Sequence, residues 1–151
     1  MTSIFRKTKR GIRRGIVDIW NAFMLDGARI DKRDIPFCPT TANEIPTQLI
    51  SWPEAKRLHN RAMRRGDTNY QVHAYIHFYV DDSKFDGPLS SIWAFPRRAL
   101  KVIKHFDGII TPDFSMCQDF PEPIKLFAVY RMRTFGYWIG KQGLGVINNV
   151  R

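Results

Sequence analysis

The sequence predicts an α/β fold, in which strands and helices alternate along the chain. Short apolar segments are followed by longer segments with three- and four-residue spacing. Residues 70–82 alternate like a strand, and glycine, proline or aspartate separates the segments. Because such strands pair through right-handed crossovers, we expect a mostly parallel sheet or part of a barrel, preceded by a basic N-terminal helix.

The N-terminal segment, residues 1–27, has the pattern of a basic amphipathic helix. Apolar side chains recur at three- and four-residue steps from Ile12 to Met24, and Gly27 is a natural end. Three roles stay open: the helix packs on the body of the protein, lies on a membrane surface, or presents its arginines to nucleic acid. Residues 28–46 predict an irregular connector, because three prolines interrupt regular structure.

Residues 47–151 predict the α/β domain. Ser51 and Glu54 have the spacing of a helix capping box, with Pro53 in the first turn. Pro96 suits the first turn of a second helix, and Gly143 suits the end of a third. The predicted elements in order are a strand at 47–52, a helix at 52–65, a strand at 70–82, a helix at 89–106, a strand at 108–111, a helix at 122–142 and a strand at 145–150.

The last predicted strand raises a question about the edge of the sheet. A sheet that ends on an apolar strand exposes unpaired backbone groups. The sequence leaves three answers open: this strand lies centrally, the domain is incomplete at its C-terminus, or a partner covers the edge. The third answer includes dimerisation through the open edge.

The composition excludes several classes of protein. Hydrophobic residues make up 44% of the 151 residues, which suits a packed domain. Two cysteines, Cys38 and Cys117, are too few for a disulfide-rich scaffold, and we expect both to be reduced. No apolar run suits a membrane-spanning helix, and the N-terminus lacks the apolar core of a secretory signal. We therefore expect a cytoplasmic protein.

The chain is strongly basic, with a net charge of +10. The excess is largest in residues 1–35, which hold nine cations and four aspartates. Such a segment attracts phosphates in a salt-dependent way, although it also suits a solvated terminus that aids solubility. The predicted nucleic-acid-binding residues, which we call the N-terminal block, are Arg6, Lys7, Lys9, Arg10, Arg13 and Arg14.

A second candidate site lies at the carboxyl ends of the predicted strands, where parallel α/β folds bind ligands. Two aspartates there suit a divalent cation or an acid–base pair, so Asp81 and Asp113 are the metal candidates. Ordinary caps and turns are the alternative role for the same residues. The catalytic candidates are Asp81, Asp82, Asp113 and Ser115, and the candidate ligand-binding rim is Asn148, Asn149 and Arg151.

His73 and His77 resemble a metal pair only if they lie on a helix. On a strand they lie about 13 Å apart, so they cannot bind one ion together. We therefore expect no resident cofactor, apart from the divalent cation considered above. The sequence also has no P-loop and no dinucleotide-binding glycine motif after a strand.

Residues 106–115, Phe-Asp-Gly-Ile-Ile-Thr-Pro-Asp-Phe-Ser, resemble a signature of a bacterial and phage family known as domain of unknown function 4417. The resemblance covers about residues 70–151. It implies a phage or mobile-element source and carries no established activity. Family members continue beyond the last segment, which implies an incomplete domain here. The segments that continue the resemblance are Asp81–Asp82, Tyr130–Arg133, Gly136–Trp138 and Val146–Arg151.

Three functions remain open at this stage. The charge favours a nucleic-acid-associated protein that binds phosphates through its N-terminal block. The polar strand ends favour an α/β enzyme, or a fragment of one, with an acidic site. A protein that binds a host factor also fits a small phage protein.

Overall fold

A computed structural model describes residues 12–13 and 16–149, with side chains from residue 18 onward. Strands β1 (Ile12–Arg13) and β2 (Ile16–Val17) pair antiparallel, and a 3₁₀ helix follows at Ala22–Leu25. The predicted basic helix over residues 1–27 is therefore wrong where the chain is described.

Local polar contacts explain why no helix runs through residues 18–21. The Asp18 carboxylate accepts hydrogen bonds from the N–H groups of Ala22 (2.8 Å) and Phe23 (3.2 Å), which starts a new turn there. Asn21 adopts a left-handed conformation, with φ of 51°, which a continuous α-helix excludes. The segment still packs on the body of the protein, because Met24 and Leu25 are buried.

Four parallel strands form the main sheet, which confirms the predicted α/β class. They are β3 (Leu49–Ser51), β4 (Val72–His77), β5 (Phe106–Ile110) and β6 (Gly145–Ile147). They lie side by side in the order in which they occur in the chain. The strand predicted over 70–82 ends early at His77, because the Val80 N–H bonds the Phe78 carbonyl and turns the chain.

Three helices connect the strands: α1 (Trp52–Arg64), α2 (Pro96–Ile103) and α3 (Glu122–Gly140). Ser51 caps α1 as predicted, since its side chain accepts the Glu54 N–H at 3.4 Å. Right-handed crossovers in a sheet of this order place all connecting helices on one face, so they form one layer. None of the described helices is long and apolar enough to cross a membrane.

One register row of the sheet forms the centre of the core. Ile76, Ile109 and Val146 are fully buried neighbours on β4, β5 and β6. In the adjacent row Tyr75 lies beside Gly108 and Gly145. A Cβ on Gly108 would lie 2.7 Å from Cε2 of Tyr75, and one on Gly145 would overlap the Tyr75 hydroxyl. Tyr75 therefore covers the two glycines on the second face of the sheet.

The connector covers part of the edge that the sequence left open. The Val146 carbonyl on β6 accepts hydrogen bonds from the N–H groups of Thr41 (3.0 Å) and Ala42 (3.3 Å). The Thr41 hydroxyl also donates to the Leu144 carbonyl at 3.0 Å. Because β6 is an edge strand, the expectation that it lies centrally is wrong, and these contacts cover only part of its edge. An incomplete domain and dimerisation through this edge stay predictions.

Candidate functional sites

Several of the polar residues that follow the strands lie at one edge of the sheet, because the strands are parallel and their carboxyl ends meet there. Asp82 and Ser115 meet there: the Asp82 carboxylate accepts hydrogen bonds from the backbone N–H (3.0 Å) and the hydroxyl (2.9 Å) of Ser115. This pair ties together the loops that follow β4 and β5.

The neighbouring Asp81 caps a 3₁₀ helix at Asp82–Lys84. Its carboxylate accepts the Ser83 N–H at 2.9 Å, and hydrogen bonds from the Ser83 side chain and backbone lower the pKa of Asp81. Asp81 and Asp82 therefore both have loop-stabilising contacts of the kind that turn residues make. Asp113 lies half-buried in the loop after β5.

Asn149 joins the ends of three strands. Its amide donates to the Thr111 carbonyl at 2.7 Å, its N–H donates to the Thr111 hydroxyl at 2.8 Å, and its side-chain oxygen accepts the Tyr79 hydroxyl at 2.5 Å. The ring of Tyr79 stacks on His77, with centroids 5.6 Å apart. Sequence reasoning placed Asn149 here but missed Tyr79 and Thr111. Neither residue is charged, and both were counted as part of the predicted strands.

The other predicted residues of this site are more dispersed. Asn148 donates to the Cys38 carbonyl and to the Thr40 hydroxyl, so it binds the connector. Arg151 lies outside the described residues. Within residues 12–13 and 16–149, no group of three or more His, Cys, Asp or Glu side chains could hold a metal ion. A cation at Asp81 and Asp113, and acid–base chemistry there, stay predictions.

His73 and His77 make separate contacts on β4, as their strand spacing predicts. His73 is exposed, with Nδ1 3.4 Å from the Asp107 carboxylate. His77 accepts the Tyr79 N–H at Nδ1, at 3.3 Å. Burial lowers the pKa of His77, because it disfavours the charged ring.

A second candidate site lies between α1, α2 and the loop that precedes α2. We call it the helical groove, and its volume is about 420 Å³. Trp52, Ile92 and Phe95 supply apolar lining, and Leu89 stands at its edge with 85% of its surface exposed. Its cations are Lys56, Arg98 and Lys101. A groove of this size that combines apolar side chains with polar groups has the form of a ligand site.

A pair of histidines fixes the chemistry of one wall of this groove. Nδ1 of His105 lies 2.8 Å from the Tyr70 carbonyl, which can only accept, so this nitrogen donates. Nε2 of His105 lies 2.9 Å from Nδ1 of His59, so the two rings share a hydrogen bond. Burial, with smaller contributions from His105 and Lys101, lowers the pKa of His59. Nε2 of His59 is the ring nitrogen that this hydrogen bond does not use.

The helices around the groove carry most of the charge of the protein. Residues 52–65 and 96–104 hold nine cations and a single carboxylate, Glu54, which together account for eight of the ten net charges. Glu54 pairs with Arg57. Since α1 and α2 are in contact, their outward sides adjoin. We call this surface the basic helical face, and its cations are Lys56, Arg57, Arg61, Arg64, Arg65, Arg97, Arg98, Lys101 and Lys104.

The N-terminal block predicted for nucleic-acid binding lies almost entirely outside the described residues. Arg6, Lys7, Lys9, Arg10 and Arg14 lie outside the described residues, and Arg13 is described only as backbone of β1. Sequence reasoning missed the basic helical face because its two halves are 30 residues apart in the chain. The number of cations on each of the two predicted helices was a signal that could have identified this face from the sequence.

Comparison with known proteins decides the family. A family model described as a domain of unknown function, DUF4417, matches residues 33–151. The chain belongs to this family. The DUF4417 match confirms the resemblance seen in the sequence and extends it toward the N-terminus.

Two curated phage proteins are similar to this DUF4417 chain. The Gene 1 protein of Mycobacterium phage D29 is 29% identical over 109 residues, which cover 72% of this chain and 35% of that protein. The Gene 1 protein of Mycobacterium phage L5 is 30% identical over 103 residues, which cover 68% and 40%. The chain thus spans well under half the length of these relatives. No solved structure matches significantly.

Proposed function

We propose that this chain binds nucleic acid through the phosphate backbone, on the basic helical face. The observation that carries the proposal is the concentration of eight net positive charges on two adjoining helices and the residues that follow them, Arg65 and Lys104. Sequence-independent binding to nucleic acid depends on cations arranged in this way, because each phosphate contact releases condensed counterions.

The positions of two arginines support a binding role over a stabilising one. Arg97 and Arg98 follow Pro96 in the first turn of α2, which holds no acidic residue. The N-terminus of a helix carries a partial positive charge, so cations there oppose folding while an anion there is favoured. Both arginines are exposed. Each guanidinium contacts an aromatic ring, Arg97 that of Phe23 and Arg98 that of Phe95, and their position at the N-terminus of α2 increases the attraction of the surface for phosphates.

The test compares two variants that lose the same charge. The face variant replaces Arg61, Arg64, Arg65, Arg98, Lys101 and Lys104 with glutamine, and the N-terminal variant replaces the six cations of the N-terminal block with glutamine. Fluorescence anisotropy with labelled single-stranded and duplex DNA and RNA, across a salt series, measures the affinities. We expect the face variant to bind more than 10-fold more weakly at about 50 mM salt. Its salt slope should flatten by about 0.7 for each lost contact with a single strand.

The matched charge of the two variants separates location from net charge. Equal losses in both would mean that net charge alone attracts the nucleic acid. Loss only in the N-terminal variant would assign binding to that block and overturn the proposal. Absence of binding by the natural chain at low salt would exclude a nucleic-acid function for this surface.

A further inference from the structure

We propose that the helical groove takes one unpaired base of a single-stranded nucleic acid, so that the preferred ligand is a single strand. This inference rests on the proposed function, since the same face supplies the phosphate contacts. It adds a part of the ligand, the base, that charge alone does not recognise.

The lining of the groove supports a base as the occupant. Leu89 and Phe95 line the groove and expose 85% and 39% of their surfaces. Contact between apolar surface and water is unfavourable, so a ligand that covers these side chains gains free energy. The guanidinium of Arg98 lies 5.1 Å from the centre of the Phe95 ring. An aromatic ring beside a cation suits a base attached to a phosphate, because all four kinds of base stack on aromatic rings.

Charge and hydrogen bonding in the groove complement the same ligand. Lys101 and Arg98 lie on the rim that faces solvent, where they can contact the phosphates on either side of the base. His59 also lines the groove, and its Nε2, the ring nitrogen that is not bonded to His105, can form a hydrogen bond with the edge of a base.

A base that enters the groove has to be unpaired. Bases in a duplex are stacked on their neighbours and paired through the edges that His59 would bind, so a base must leave the duplex to enter a groove. A volume of about 420 Å³ lies in the range of sites that enclose one small ligand. Single-stranded nucleic acid already offers unstacked bases at little cost.

The experiment separates bases from phosphates. Anisotropy at fixed salt compares a labelled 12-mer single strand, its duplex, and an abasic strand of equal length that keeps every phosphate. DNA and RNA versions identify which sugar is preferred. We expect the natural strand to bind about 5- to 150-fold more tightly than the abasic strand, the range typical of base stacking. Leu89→Ser should reduce this ratio and leave the affinity for the abasic strand unchanged.

Controls keep the outcomes distinct. Ile45→Ser removes an equally exposed apolar side chain from the connector and should leave the ratio unchanged. Phe95→Ala provides a second variant of the groove, with its fold checked by thermal unfolding. Equal binding of natural and abasic strands would overturn the inference and leave the proposed function standing. A ratio that neither groove variant changes would place the base elsewhere, and a lack of binding by both strands would overturn both proposals.

Discussion

At the scale of single residues, the two cysteines differ sharply in their surroundings. Both are free, as predicted, and Cys117 is exposed. Cys38 packs against α3, where a Cβ on Gly136 would lie 2.8 Å from its Sγ. Burial raises the pKa of Cys38 to about 12. We therefore expect a disulfide reagent at pH 8 to modify one thiol quickly and Cys38 at least about 100-fold more slowly, because the thiolate is the reactive form.

A substitution and an unfolded sample complete this test. Cys117→Ser should remove the fast reaction, and denaturant should expose Cys38 to rapid modification. The raised pKa of Cys38 also determines how stability changes with pH. The folded chain holds the Cys38 proton more tightly than the unfolded chain, so the free energy of unfolding falls as pH rises above about 9. Fast modification of Cys38 in the folded protein would contradict the burial.

The residues of the strand-end site illustrate what sequence predicts at this scale. Asp82, Ser115 and Asn149 were placed at one edge because parallel strands bring their carboxyl ends together. Their partners were not predictable: Asp82 meets Ser115 across 33 residues, and Asn149 meets Tyr79 across 70. Such pairings depend on loop paths, which local patterns do not determine.

At the scale of elements, the segment before the connector is held by hydrogen bonds that a helix would not make. The Asn21 amide donates to the Trp93 carbonyl at 2.7 Å in a buried position, and the Trp93 indole N–H donates to the Ile19 carbonyl at 3.2 Å. The Tyr130 hydroxyl on α3 donates to the Trp20 carbonyl at 2.9 Å. These contacts attach the segment to the loop before α2 and to α3.

Asn21→Ala should reduce the free energy of unfolding by about 2–3 kcal/mol. It removes a buried hydrogen bond. It also replaces asparagine, which tolerates the left-handed region, with alanine, which does not. Asn21→Gly should cost less, because glycine adopts this conformation freely. Urea unfolding measures both values, with the exposed Asn43→Ala as the control. Equal costs for the alanine and glycine variants would show that the backbone conformation contributes nothing.

The same segment shows where periodicity misleads. Apolar spacing of three and four residues predicted a helix from Ile12 to Met24, yet tertiary contacts and the Asp18 cap select strands and a 3₁₀ turn. Helices α1 and α3 were predicted within two residues at each end. In α1 the reason is a local capping signal at Ser51 that agrees with the packing. The helix predicted over 89–106 begins only at Pro96, the proline that fits its first turn.

At the scale of the whole molecule, folding rearranges the charge of the chain. Counted along the sequence, the excess is greatest in residues 1–35, which made the N-terminal block the natural candidate. Folding brings residues 52–65 and 96–104 together on one surface, so the strongest concentration of charge among the described residues exists only in the folded state. This difference between folded and unfolded chains can be measured.

Binding to the basic helical face should stabilise the fold, whereas binding to the N-terminal block should not. The block is contiguous in the chain, so its cations are also close together in the unfolded state. The face is assembled by folding, so its ligand favours the folded state. With a single-stranded oligonucleotide at about 100 times Kd, binding only to the folded state adds about 2.7 kcal/mol, which raises Tm by about 5–10 °C. Scanning fluorimetry should show this rise in the natural chain and the N-terminal variant, and its loss in the face variant. A natural chain that binds the oligonucleotide without any rise in Tm would place the contact on a segment that folding leaves unchanged.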